Sequence, residues 1–141
     1  MKLIILLAFF SFVVLQAKTQ SLEDNLIVVT VTDTSKIYDR VRQALTFTDL
    51  IIREDSRPDT LITYSERIYG KTIFVVAKVI ISGNKIEISG AYGLGLEDFW
   101  SYPSWPKSYK RILYFKGSEA WLILRRIAIK LDGKIEYKRI D

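Results

Sequence analysis

Residues 71–95, KTIFVVAKVIISGNKIEISGAYGLG, read as one long β-hairpin, and the expected fold is built outward from it. The first arm, 72–81, is dense in Val, Ile and Phe, which suit a pleated, half-buried surface, and Ser82, Gly83, Asn84 and Lys85 supply the reversal. With Ile81 opposite Ile86, the period of two places Val79 opposite Ile88, Ala77 opposite Gly90 and Val75 opposite Tyr92 on an apolar face. The other face pairs Ile80 with Glu87, Lys78 with Ser89, Val76 with Ala91 and Phe74 with Gly93, a mixed surface able to meet water. One covered and one partly wet face marks an antiparallel sheet with helices on one side. The small pair Ala77 and Gly90 is the expected crossing point of a helix.

Before the hairpin, 26–32 (LIVVTVT) reads as a strand, and Asp33, Thr34 and Ser35 are N-cap candidates for an amphipathic helix that turns Ile37, Val41, Ala44 and Leu45 inward. Residues 49–53 read as a short strand, 54–59 as a polar turn and 60–68 as one further strand, so that four consecutive strands form a meander. After the hairpin, 112–115 suggest a brief extended piece. Ser118 then caps a second helix, whose residues Trp121, Ile123, Leu124, Ile127, Ala128 and Leu131 share one arc. Arg125, Arg126 and Lys130 lie on the other side with Leu122 and Ile129. Residues 119–131 also admit a strand reading, turning at Asp132-Gly133 into KIEYKRI, and the Ser118 cap favours the helix. Residues 134–140 are expected as a short extended tail. The fold class is therefore α+β: an antiparallel four- to five-stranded sheet with two helices packed on one face, in the order β-α-β-β-β-β-α.

The chain opens with Met1, Lys2 and the apolar run LIILLAFFSFVVL, the n-region and h-region of a secretory signal peptide over residues 1–17. A membrane span needs roughly 20 apolar residues, so a retained anchor is the alternative and the cleavage bond stays open. The remaining 18–141 are of a size for one α+β domain. Export places the protein in the periplasm or outside the cell and disfavours nucleic acid as a partner. It leaves the membrane as a contact only through an uncleaved leader. With no cysteine, stability rests on the core alone. Charge is uneven: residues 107–141 hold 10 Lys and Arg against 4 Asp and Glu. This basic quarter is either a solvated helix face or the contact for an anionic lipid headgroup, acidic polymer or acidic protein.

The helix SKIYDRVRQAL, the hairpin KTIFVVAKVIISGNKIEI and the late helix GSEAWLILRRIAIKL, behind a leader, resemble small exported bacterial domains of unknown function with a TATA-binding-protein-like fold. The resemblance implies that fold and no chemistry, so it transfers no functional residue.

Histidine is absent along with cysteine, which removes Ser-His-Asp triads, Cys-His pairs and the usual zinc sites. No catalytic residue, cofactor or metal site is expected. The glycines at 90, 93 and 95 have the wrong spacing for a dinucleotide fingerprint and read as backbone geometry. Binding interest falls on the aromatic loop around 97–111. There Trp100, Tyr102, Trp105 and Tyr109 offer flat rings and Lys107, Lys110 and Arg111 offer cations, unless the rings fold back on the sheet. Three functions stay open. The first is a non-enzymatic envelope domain that binds a ligand or a protein partner through the sheet and this loop. The second is a structural subunit of an envelope assembly, exposing an apolar sheet face or a helix flank such as Leu122 and Ile129. The third is an enzyme that gathers several of Glu54, Asp55, Glu97, Asp98 and Tyr92 in one pocket.

Overall fold

The computed structural model describes residues 21, 24–53, 56–57, 59–68, 70, 73–94, 109–114 and 118–141. The leader reading therefore lies outside the described residues. The hairpin forms from β4 (Ile73–Ser82) and β5 (Lys85–Leu94) in the expected register, with Ile81 opposite Ile86, Val79 opposite Ile88, Ala77 opposite Gly90 and Val75 opposite Tyr92. Alternation and the short turn together set that register, because a slip of one residue would turn the apolar set of one arm, Val75 and Val79 or Ile86 and Ile88, out of the core.

Around the hairpin lie β1 (Leu26–Thr30), α1 (Ile37–Phe47), β2 (Thr60–Ile62), β3 (Glu66–Arg67), β6 (Lys110–Arg111), α2 (Glu119–Lys130) and β7 (Lys134–Lys138). The antiparallel sheet runs β2-β4-β5-β1-β7, with β3 beside β4 and β6 beside β5. Both helices pack on the face that carries Val75, Ala77, Val79, Ile86 and Ile88, and Val41, Leu45, Trp121, Leu124 and Ile127 join these in one buried cluster. The expected crossing at Gly90 is present: a Cβ there would lie 3.1 Å from Leu124 of α2 and 2.8 Å from Ile112. The opposite face is only partly wet. Lys78, Ile80, Glu87 and Ser89 are half-buried toward the turn, while Phe74, Val76, Ala91 and Gly93 are buried at the other end.

Three local expectations are corrected and a fourth is extended. None of Asp33, Thr34 and Ser35 caps α1; its N-cap is Lys36, in the left-handed region at φ 51° and without a side-chain cap bond. The Asp33 carboxylate instead accepts the Ser35 N–H at 2.8 Å, spending itself on a turn one step upstream. Residues 49–53 form no strand. Asp49 takes φ 61° as α1 unwinds, and only Ile52 bridges, to Thr63. The strand expected over 60–68 is split in two. Ile62 pairs with Lys78 and Glu66 with Val75, so one extra residue sits on this strand, which is a β-bulge. Thr63 holds the bulge, donating its N–H to the Ala77 carbonyl at 3.0 Å and accepting the Ala77 N–H on Oγ1 at 2.9 Å. Finally, the expected tail is a sheet strand, β7, paired with β1 from Thr30 opposite Lys134 to Leu26 opposite Lys138. Buried Asn25 pins its end by donating to the Ile140 carbonyl at 2.6 Å and accepting the Ile140 N–H at 2.8 Å.

Residues 119–130 are helical, and Ser118 Oγ accepts the Trp121 N–H at 3.2 Å as the N-cap. Ser118→Ala frees that donor and is expected to cost about 1 kcal/mol, read as a lowered urea midpoint at unchanged slope.

Candidate functional site

The structure distributes the sequence candidates unevenly. Trp100, Tyr102, Trp105 and Lys107 lie outside the described residues, as do Glu54, Asp55, Glu97 and Asp98. Lys110 and Arg111 form β6 and are exposed, with Arg111 donating to the Ile140 carbonyl at 3.0 Å. Tyr109 is half-buried and lies flat on the sheet. Its ring occupies the space that a Cβ on Gly93 would need, and its hydroxyl meets Ser65 Oγ at 2.5 Å. Gly93 is thus the seat of an aromatic ring. Tyr92 is half-buried and packs against the core on the helix side.

The exposed face of α2 carries the most distinctive surface. At about 100° per residue, the buried arc of Ala120, Trp121, Leu124, Ile127 and Ala128 leaves Leu122 and Ile129 pointing directly away from the sheet. They are 38% and 55% exposed. Arg125 flanks this ridge on one side, and Arg126 and Lys130 flank it on the other, all exposed. Across the groove, Phe47 at the end of α1 is 60% exposed, and the Lys130 ammonium sits 3.6 Å from its ring centroid. The ridge was visible in the helical period. Phe47 was not, because it lies off the apolar arc of its own helix and joins the patch only through helix packing.

Beside the ridge, a cleft of about 510 Å³ opens between the end of α1, β3 and the first half of α2. Asp49, Glu66 and Glu119 line it with Arg67, Arg126 and Ile68. The bulge creates this lining, because the extra residue shifts the phase of β3 and puts Glu66 opposite Val75 on the helix side. Burial raises the Glu66 carboxyl above its ordinary value. A shallower hollow of about 410 Å³ lies where α1 begins, around Asp33, Asp39, Arg40 and Asp132. There Arg40 ties two loops by donating to the Asp33 carbonyl at 2.8 Å and to the Leu131 carbonyl at 2.7 Å. The Asp33 carboxyl is held below its ordinary value chiefly by its bond with Ser35. Among the described residues no group of three or more acidic side chains is placed to hold a metal ion.

Compared with protein-family models, curated proteins and solved structures, the chain finds no match in any of the three.

Proposed function

We propose that this is an exported, non-enzymatic domain of the cell envelope that works by docking, through the outward face of α2, on an anionic partner. The observation that carries the reading is the ridge of Leu122 and Ile129 between Arg125 on one side and Arg126 and Lys130 on the other. Large aliphatic side chains held out in water on a rigid, capped helix lose free energy that a contact would recover, and the flanking cations choose the sign of the partner. The leader-like N-terminus supports the compartment, and the basic balance of 107–141 supports the charge.

Fractionation tests the reading. The chain expressed in an exporting cell is expected to sediment with the envelope, and Leu122→Glu with Ile129→Glu is expected to move most of it to the soluble exported fraction without lowering its thermal midpoint. A substituted chain that stays on the envelope at the original level would refute docking through α2.

A further inference from the structure

Resting on that docking reading, we infer that the surface α2 meets is an anionic lipid bilayer, on which the helix lies in the plane of the headgroups. Three features of the face point to this partner. The first is its layering: Leu122 and Ile129 form the crest, while the three cations stand beside it on long aliphatic stems. Such stems let a cation reach phosphate level while the crest enters the acyl boundary. Phe47, exposed at the end of α1 with the Lys130 ammonium over its ring, adds an apolar group beside the crest.

The second feature is the state of the cations. Arg125 and Arg126 make no ion pair with any described residue. They are exposed without partners among the described residues, and a bilayer of anionic headgroups neutralises both at once without demanding one fixed geometry. The third is repulsion: a second copy of this chain on the same face would set Arg125, Arg126 and Lys130 against their own equivalents, which disfavours self-association there. Among the described residues no helix is long and apolar enough to cross a membrane, so contact by this route is surface contact.

The test uses the full chain as the cell exports it, with its N-terminus read by mass spectrometry, and lipid vesicles of phosphatidylcholine alone or with about one-third phosphatidylglycerol. Preferential sedimentation with the anionic vesicles is expected. Arg125→Gln with Arg126→Gln should weaken it roughly 25-fold, since each surface cation contributes about 1 kcal/mol, and Leu122→Ser with Ile129→Ser should weaken it about tenfold or more. Each variant carries the same leader, so a difference between variants reports on α2 alone. Circular dichroism melts of each variant confirm that the fold is kept. Equal binding to both vesicle types, or anionic binding that neither pair of substitutions reduces, overturns the lipid assignment. If vesicles fail to bind while the envelope still does so through Leu122 and Ile129, the partner is an acidic protein or polymer: the docking reading stands and the lipid inference falls. If neither binds, both fall.

Discussion

Trp121→Ala is expected to cost about 3–5 kcal/mol of folding stability, the largest loss from any single truncation in this domain. Trp121 is 2% exposed and belongs to the core cluster that joins α2 to the sheet. Its ring meets Tyr114 edge-on at 5.8 Å and Tyr137 at 6.0 Å, so it links the approach to α2 with the strand that follows it. Among the described residues the indole N–H has no hydrogen-bond partner. A buried donor without a partner costs about 1–3 kcal/mol, so Trp121→Phe, which keeps one ring and deletes the donor, is expected to lose no more than about 1.5 kcal/mol. Urea unfolding of the two variants separates the contributions. Equal losses would mean that the N–H matters as much as the ring volume and would contradict the packing account.

Gly90→Ala should destabilise by about 1–3 kcal/mol although it adds a single methyl group to a strand. The new carbon would stand 2.8 Å from the Val76 carbonyl, 2.8 Å from Ile112 Cδ1 and 3.1 Å from Leu124 Cδ2. The two side chains can shift, whereas the carbonyl belongs to the strand ladder. For this reason Leu124→Ala in the same chain is not expected to restore stability, and a double-mutant cycle in urea measures the coupling. Full rescue would locate the clash in the α2 side chain and free the strand of blame. Gly83 makes the contrast: nothing lies within 4 Å of a Cβ there, and its requirement is the backbone at φ 59° in the hairpin turn.

The two glycines show how much of this protein can be read from neighbours along the chain. The small pair Ala77 and Gly90 is legible because a hairpin with a short turn has one register that keeps its apolar residues together, and a smooth gap on an apolar face invites a helix. The cap at Ser118 and the outward ridge of α2 are legible for the same reason, since each depends on residues within a turn or two. The lining of the cleft is not. Thr48, Glu66 and Glu119 come from three separated segments, and they converge only because the strand bulges at Thr63. A bulge is one unpaired residue, stabilised by a partner strand 14 residues away in the case of Thr63 and Ala77, and it leaves the local composition of 60–68 looking like an unbroken strand.

By itself, then, the amino-acid sequence determined the α+β class, the hairpin register and the face that takes the helices, and it favoured, over a strand, the reading of 119–131 as a helix with a basic, apolar-crested outer side. All of these follow from local periodicity, turn chemistry and charge. Tertiary structure alone decided that the C-terminal residues return as β7 beside β1, that Tyr109 covers Gly93, that Phe47 joins the α2 ridge and that Glu66 turns toward the helices. The physical reason is common to all four. Each is set by which distant backbone or side chain fills a space or completes a hydrogen-bond ladder, and such long-range pairing leaves no period in the chain.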